Sequence, residues 1–330
     1  MAAMPWPGAV AVSGGGDSLA LMHLLADWAR AQGAAPPLVL SVDHGLRPDS
    51  AKDAKRVARW AKAVGLTCEI LTVRGKKPKA DIEAWARDAR YTLMAQRLQR
   101  RKIATLYLAH HQDDQAETFL LRLARGSGLD GLCAMRALSP FPLSGFDGLT
   151  LARPLLNIPR TALQEYLKAK KQDWLEDPMN AQARFARSRM RVLLPALEEA
   201  GLAPARIADA AAHLGRAREA LELATAALLS RACRQKDGLL LLDAAVLTAA
   251  PREIGLRALA ATLKTVSGAA YRPRFESLER LYGALGSAGL GGGVTLHGCR
   301  VGPAPLRHQG FGPKTLVITR ENARKSATKA

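Results

Sequence analysis

The sequence predicts an α/β fold with a doubly wound parallel sheet, followed by a smaller, mainly helical domain. Short apolar runs alternate with amphipathic stretches over the first half of the chain, a pattern typical of strands separated by helices. Beyond Pro204 the sequence changes to Ala, Leu and Arg in helical periods. We therefore expect domains at residues 1–203 and 204–330, the second with a short β-like end and a frayed basic tail.

The spacing of apolar residues predicts the strands and helices in order. Four apolar runs predict strands at residues 9–12, 38–42, 67–73 and 105–109. The intervening stretches predict helices that begin at Asp17 and cover residues 49–64, 80–101 and 113–125. A loop over residues 139–152 leads into a short strand at 149–151, and Pro159 suits the first position of a helix ending at Lys171. Helices then continue to about Ser287, before β-like pieces at 294–301 and 316–319.

The composition indicates a basic globular protein with a polyanionic partner. The 330 residues include 48 Lys and Arg against 29 Asp and Glu, a formal net charge of +19, which favours nucleic acid over a merely basic solvated surface. No apolar run reaches the roughly 18 residues that a membrane span needs. The sequence indicates neither a zinc site nor a redox dithiol, because it has no C-x-x-C pair among its four cysteines, Cys68, Cys133, Cys233 and Cys299. We expect a cytoplasmic protein, and the sequence leaves its oligomeric state undetermined.

A glycine-rich turn follows the first predicted strand and opens the first predicted helix. It reads Ser13-Gly14-Gly15-Gly16-Asp17-Ser18. The glycines allow the backbone to approach an anion closely, and the hydroxyls and free amides at the helix start can hold phosphate. The turn has neither the Lys of G-x-x-x-x-G-K-[ST] nor the spacing of G-x-G-x-x-G. It resembles the S-G-G-x-D-S loop of the ATP pyrophosphatases, which cleave ATP between its α and β phosphates.

Polar residues also follow the second predicted strand, at the edge where an open parallel sheet binds its ligands. Asp43, His44 and Arg47 stand there. His44 and Arg47 are candidate site residues, and the alternative is that they cap the following helix.

The segment after the fourth predicted strand is the richest in polar residues. It begins with His110 and His111, and in the helix that follows Asp113, Asp114 and Glu117 are neighbours at i,i+3 and i,i+4 spacing. Such carboxylates can hold magnesium or bind an incoming amine. The alternative is favourable charge at a helix N-terminus. The two histidines and the phosphate loop across the sheet edge favour a site.

These motifs, in this order, resemble the tRNA(Ile)-lysidine synthetases. The resemblance rests on the glycine turn, on residues 42–47, and on residues 109–118 with Arg125-Gly126-Ser127-Gly128 and Gly131-Leu132. It continues through Arg153-Pro154-Leu155-Leu156 with Arg160 and through the acidic and arginine-rich stretch 176–195, and it covers about residues 8–200. The sequence departs from the family pattern at Asp43, Met179 and Ser188, where Asn, Ser and Asn are usual.

The resemblance implies a Rossmann-like fold of the adenine nucleotide α-hydrolase type and a ligase that forms a carbon–nitrogen bond. ATP would adenylate the 2-oxo group of the wobble cytidine in a tRNA(Ile) with a CAU anticodon, releasing pyrophosphate. The side-chain amine of free L-lysine would then attack the activated carbon and expel AMP, leaving lysidine. ATP and Mg²⁺ are the implied cofactors.

The resemblance also implies roles for the candidate residues. Phosphate binding falls to Ser13, Gly14, Gly15, Gly16, Asp17, Ser18 and Arg47. The residues implied to bind magnesium are Asp17, Asp113 and Asp114. Those implied to bind the lysine ammonium or accept its proton are Asp113, Asp114 and Glu117. His44 and His110 would lie near the α-phosphate or the activated base. The residues implied to bind the anticodon arm are Arg153, Arg160, Arg184, Arg187 and Arg191. The alternative is that these arginines form salt bridges within the protein, to Glu165, Asp173, Glu176 and Asp177. The C-terminal helices and β-like end would grip the tRNA stem.

Three rival functions are weighed against this interpretation. A related enzyme could insert sulfur into a tRNA base, but that chemistry needs catalytic cysteines, and Cys68 and Cys133 lie outside the motifs. A non-catalytic RNA-binding relative is disfavoured by the intact glycine turn and the three downstream carboxylates. A glutaminase-coupled ligase is also disfavoured, since no glutaminase nucleophile motif is present.

Overall fold

The computed structural model describes residues 4–75, 78, 80–176, 186–269, 271–286 and 290–321, without the side chains of residues 83 and 186–188. The chain forms two compact units, residues 1–215 and 216–330. The domain boundary after residue 203 stays a prediction.

Six strands and seven helices lie wholly within the described residues of the N-terminal unit. The strands are β1 (Gly8–Ala11), β2 (Leu38–Asp43), β3 (Cys68–Thr72), β4 (Thr105–Tyr107), β5 (Leu138–Pro140) and β6 (Thr150–Ala152). The helices are α1 (Gly16–Ala31), α2 (Ser50–Ala63), α3 (Ile82–Arg101), α4 (Gln112–Leu123), α5 (Leu129–Leu132), α6 (Arg160–Ala169) and α7 (Ala186–Glu199). The predicted alternation of strand and helix is confirmed through α4.

The strand order is β3-β2-β1-β4-β6-β5, and every neighbouring pair is parallel except β5 with β6. The order reverses direction between β1 and β4, because the chain adds β2 and β3 on one side before it returns to add β4 on the other. This is the doubly wound parallel sheet that the sequence predicts, and β1 and β4 flank its switch point, where such sheets bind ligands.

Helices cover both faces of this sheet, which explains why its central strands are largely apolar. On one face, Leu21 of α1, Val57 of α2 and Leu167 of α6 share a core with Val10. On the other face, α3 packs Tyr91, Met94 and Leu98 against strand residues that include Leu40 and Leu106. Parallel strands buried on both sides need this continuous apolar character.

The antiparallel edge strand β5 lies in the segment where the sequence predicts a loop. Pro140 ends this strand and Ser139 pairs with Leu151 of β6. Proline is tolerated on an edge strand because no further strand needs its missing N–H, and the Pro- and Ser-rich composition therefore concealed the strand.

The chain beyond residue 203 contains four α-helices, one short 3₁₀-helix (Leu306–His308) and five strands among its described residues. The helices are α8 (Pro204–Ala232), α9 (Ala244–Ala249), α10 (Arg252–Ser267) and α11 (Phe275–Gly286). The strands are β7 (Cys233–Lys236), β8 (Leu239–Asp243), β9 (Val294–Leu296), β10 (Cys299–Pro303) and β11 (Thr315–Arg320), in the antiparallel order β7-β8-β11-β10-β9. No described helix of the chain is long and apolar enough to cross a membrane.

The hairpin β7–β8 corrects the prediction of unbroken helices up to Ser287. Its turn residues Asp237 and Gly238 both have positive φ, 49° and 74°, as a two-residue hairpin turn requires. The leucine run 239–242 suits a helix by composition, and the helical prediction followed that run. The Asp-Gly pair was the local signal for a hairpin.

Candidate active site

The glycine turn between β1 and α1 is held closed by its two serines. The Ser18 hydroxyl donates to the Gly15 carbonyl at 2.8 Å and accepts the Ser13 backbone N–H at 3.2 Å. Gly14 has φ +94°, a conformation that residues with a β-carbon rarely adopt. The turn is therefore pre-shaped, and it leads directly into the N-terminus of α1, where free amides favour an anion.

A short segment after α6 packs over this turn. The backbone N–H of Leu175 donates to the Gly14 carbonyl at 2.9 Å. A β-carbon at Gly14 would lie 2.5 Å from Leu175 Cδ1, and one at Gly16 would lie 3.5 Å from the Trp174 ring. The absence of side chains on the turn thus serves packing within the protein as well as the approach of a ligand.

Three carboxylates from two helices meet around the His111 imidazole. Nε2 lies 3.5 Å from Asp17 Oδ2 and 3.4 Å from Asp114 Oδ2, and Nδ1 lies 3.4 Å from Asp113 Oδ2. The His111 backbone N–H also donates to Asp114 Oδ2 at 3.1 Å. His111 is 3% exposed, so this imidazole joins the start of α1 to the start of α4 inside the protein.

The charges of this cluster stabilise one another. Burial disfavours the imidazolium, but Asp113, Asp17 and Asp114 outweigh that effect and raise the pKa of His111 to about 10. Burial also works to raise the pKa of Asp17 and of Asp113. The cations around them, His111 first, outweigh it and leave each pKa below its usual value. At neutral pH the cluster therefore holds ionised carboxylates around a charged imidazole.

Two arginines from α6 and α7 complete the cluster. Arg191 Nε donates to Oε1 of the buried Glu117 at 2.5 Å, and Arg191 Nη2 lies 3.9 Å from Asp114 Oδ1. Arg160 Nε lies 3.5 Å from Asp17 Oδ1, and the Arg160 backbone N–H donates to Asp113 Oδ2 at 3.0 Å. Within the described part of the chain, these contacts bring four acids to three cations, a net negative charge that favours a further cation.

The candidates after β2 lie at the same edge of the sheet, with contacts of their own. Asp43 Oδ1 accepts the Gly45 backbone N–H at 2.8 Å, and Arg47 Nη2 lies 3.2 Å from Asp53 Oδ2 in α2. Burial, together with the charge of Arg90, lowers the pKa of His44, so this imidazole is neutral at neutral pH.

The five arginines predicted for tRNA do not form one surface in the described part of the chain. Arg153 is buried, where its guanidinium donates to the Arg136 carbonyl at 2.9 Å and to Ser139 Oγ at 3.0 Å, a position that braces β5 and β6. Arg160 and Arg191 lie in the carboxylate cluster, paired with acids other than those the sequence suggested. Arg184 and the side chain of Arg187 lie outside the described residues.

Sequence reasoning missed the central role of His111 and the covering segment with Trp174 and Leu175. His111 is the residue immediately before α4, so its side chain is placed to meet the acids of the first helical turn. The neighbouring His110, which was predicted instead, is half-buried. The adjacent pair was a signal that one of the two would face the site, but their order could not be read without the strand's end point. No sequence pattern marks Trp174 or Leu175.

The four cysteines are all free, and two of them, Cys133 and Cys299, are buried. Within the described residues no group of three or more His, Cys, Asp and Glu side chains forms a ready metal cage.

A glycine turn after β1 and acidic residues after β4, at the switch point of a doubly wound sheet, define a nucleotide site of the PP-loop class. The family model described as PP-loop domain matches residues 7–197. A tRNA(Ile)-lysidine synthase from Wolbachia pipientis wMel is 36% identical over 96% of this chain and 71% of its own length. Those from Ruegeria pomeroyi and Methylobacterium nodulans are each 41% identical, over 87% and 91% of this chain and 68% and 87% of theirs. The chain belongs to the tRNA(Ile)-lysidine synthase family.

A solved structure outside that family shares the fold. The U34-tRNA thiolase NcsA from Methanococcus maripaludis, solved with its [4Fe-4S] cluster, aligns with a TM-score of 0.52 at 16% identity. The alignment covers 63% of this chain and 71% of that one. At this identity the likeness concerns the fold alone.

Proposed function

We propose that this protein ligates L-lysine to the wobble cytidine of a tRNA(Ile) with a CAU anticodon and forms lysidine at the expense of ATP. The observation that carries the proposal is the cluster at the switch point, where the glycine turn of α1 and the acids of α4 are joined through His111. One edge of the sheet thus offers a phosphate cradle beside a negatively charged pocket, and the two half-reactions need these two features.

In the first half-reaction the cytidine 2-oxo group attacks the α-phosphorus of ATP. The bond to the β-phosphate breaks, pyrophosphate leaves, and the base carries AMP on its oxygen. The turn from Ser13 to Ser18 binds the departing phosphates through its amides and hydroxyls, while Arg47, His44 and His110 lie toward the α-phosphate or the base. Such transfers depend mainly on positioning and charge stabilisation, which rigid donors supply.

Magnesium is the proposed companion of ATP, with Asp17, Asp113 and Asp114 as its protein ligands. Carboxylate oxygens are the donors that Mg²⁺ prefers, and at nucleotide sites it takes one or two carboxylates together with phosphate oxygens. Such a site needs no ready protein cage, which fits the described residues. When bound, the ion would neutralise phosphate charge. His111 meanwhile lies within 3.5 Å of all three carboxylates, and its charge helps to hold the pKa of Asp17 and of Asp113 below the usual value.

In the second half-reaction the lysine side-chain amine attacks the activated carbon of the base. The bond to the 2-oxo oxygen breaks, AMP leaves with that oxygen, and the amine loses a proton to a nearby base. Asp113, Asp114 and Glu117 hold the incoming ammonium and one of them accepts the proton. The net negative charge of the cluster supports this assignment.

The base must leave its stack to reach this site, so the protein reads an unpaired anticodon loop. The part of the chain after residue 203 contributes further contacts to the tRNA. Three arginines remain proposed contacts to the anticodon arm: Arg184, Arg187 and Arg191. Arg160, which lies beside Asp17, is a further proposed contact.

Release of pyrophosphate tests the proposal. The protein, incubated with magnesium and ATP, should release pyrophosphate only when a CAU-anticodon tRNA(Ile) is also present, and Asp17→Ala should abolish that release. Release that ignores tRNA, or none with both substrates present, would overturn the proposed activity.

A further inference from the structure

Helix α2 carries an exposed row of cations that the cluster at the switch point does not use. Its five basic side chains are exposed: Lys52, Lys55, Arg56, Arg59 and Lys62. At 100° per residue they fall within an arc of about 120° on the helix surface. We call these five residues the α2 stripe. It extends for roughly 15 Å along the helix, at about 1.5 Å per residue.

The opposite face of α2 anchors the stripe to the sheet. Ala54, Val57 and Ala61 are buried there, and Val57 and Ala61 belong to the core that α1 and β1 share. Small apolar side chains bring the helix close to the strands, so the cations project from a rigid element. The stripe is therefore a preformed surface.

Acids of the protein neutralise little of this charge. Lys52 pairs with Asp49 at 2.8 Å, and the Arg56 guanidinium stacks 4.9 Å from the centre of the Trp60 ring. Among the residues that the structure describes, no carboxylate pairs with Lys55, Arg59 or Lys62.

Several other basic residues of the same unit are engaged within the protein. On α3, Arg97 and Arg101 both pair with Glu69. Arg153 is buried, and Arg160 and Arg191 bind the acids of the cluster. The chain as a whole carries a net charge of +19. The α2 stripe is a place where positive charge is exposed and few acids offset it.

The geometry points to the α2 stripe as a docking surface for the phosphate backbone of the tRNA substrate. This inference rests on the proposed function, which supplies the polyanion. Helix α2 begins just after the loop with His44 and Arg47, so its first turns lie toward the sheet edge that holds the site. Phosphate contacts position a nucleic acid without reading its sequence, and evenly spaced Lys and Arg on a helix suit that task.

The salt dependence of tRNA binding tests this inference. The variant is the triple replacement Lys55→Ala, Arg59→Ala and Lys62→Ala, which keeps good helix formers on an exposed face. Each lost phosphate contact lowers the slope of log affinity against log salt by roughly 0.7–0.9, so the triple variant should lose about 2 in slope when salt is varied between about 50 and 200 mM. Its affinity for a CAU-anticodon transcript should fall by about tenfold or more at the lower salt.

A matched pair of single variants controls for net charge. Arg59→Glu should weaken binding clearly more than Arg100→Glu, since Arg100 is an exposed arginine on α3, on the opposite face of the sheet. Equal effects of the two variants, or an unchanged slope in the triple variant, would overturn the α2 stripe as a docking surface.

Lysidine formation by the unaltered protein separates this inference from the proposed function. If lysidine forms and the slope does not depend on the stripe, the docking surface is wrong and the proposed function stands. If the slope depends on the stripe while no lysidine forms, the docking surface stands and the proposed function is wrong. A protein that binds no tRNA overturns both.

Discussion

Helices α4 and α2 both begin at the carboxyl edge of the sheet, and they treat charge in opposite ways. The acids of α4 are partly or fully buried, and each lies beside a cation, either His111 at the start of the helix or Arg191 of α7. The cations of α2 are exposed, and three of the five have no described acidic partner. Burial makes an unpaired charge costly, so α4 must be balanced within the fold. An exposed charge carries no such cost and can await a partner from outside.

The largest expected effect is on the buried side of this comparison. Asp17→Asn should slow pyrophosphate release by about 100-fold or more, because it removes a charged proposed ligand of the magnesium ion that accompanies ATP. Asp27→Asn on the same helix is the matched control, since Asp27 pairs with Lys170 and Tyr166 at the surface. Steady-state rates with saturating tRNA should show no change for the control. Similar losses in both variants would mean that the Asp17 effect is not specific to the site.

The glycine turn should be the next most sensitive element. Gly14→Ala forces a β-carbon into φ +94° and against Leu175, so the apparent KM for ATP should rise about tenfold. Gly33 also has positive φ, +59°, but open space around it. Like Gly14→Ala, Gly33→Ala should therefore lower the unfolding midpoint of the protein, but it should leave the KM for ATP unchanged. Equal KM values for the two variants would show that the turn tolerates a side chain.

The pair formed by Glu117 and Arg191 tests whether burial decides the cost of a broken ion pair. Glu117 is 2% exposed and the Arg191 side chain 37% exposed. Glu117→Ala should lower the free energy of unfolding in urea by about 1–3 kcal/mol, less than for a pair buried on both sides. The exposed Glu165 on α6 provides the control, and Glu165→Ala should be close to neutral. Equal stability of the two variants would mean that burial does not decide the cost of losing the Glu117 carboxylate.

The smallest effect is expected for an ion pair at the start of α2. Asp53 and Arg47 are 27% and 37% exposed and lie 3.2 Å apart. Asp53→Ala should cost at most about 1 kcal/mol in the same urea titration, because solvent screens the pair. A cost equal to that of Glu117→Ala would mean that exposure does not separate the two helices.

The strands of the N-terminal sheet and the position of the site were predictable because the local patterns agree with the fold. Apolar runs and a glycine turn place polar residues at strand ends, and a parallel sheet brings those ends together. The strand β5 and the hairpin β7–β8 were not predictable from composition. Pro140 and Ser139 suit a loop, and the leucines of 239–242 suit a helix as well as a strand. In both cases tertiary pairing decided the structure.

Within the site, residue types were easier to predict than partners. The candidate acids Asp17, Asp113 and Asp114 do come together, because they begin helices at the same sheet edge. The proposed roles of the arginines followed from the family resemblance, which does not say which cation a buried acid will recruit. Arg153 and Arg191 therefore lie against the protein itself, and His111 was overlooked beside its neighbour His110.

Incorporation of labelled lysine into tRNA shows whether this protein forms lysidine. The protein is incubated with magnesium, ATP, labelled lysine and an unmodified CAU-anticodon tRNA(Ile), with methionine tRNA as the matched control, and the digested nucleosides are identified by mass. The account predicts label in lysidine from tRNA(Ile) and none from methionine tRNA. Pyrophosphate release without label in any nucleoside would contradict it, because the acidic pocket beside the glycine turn would then not receive lysine.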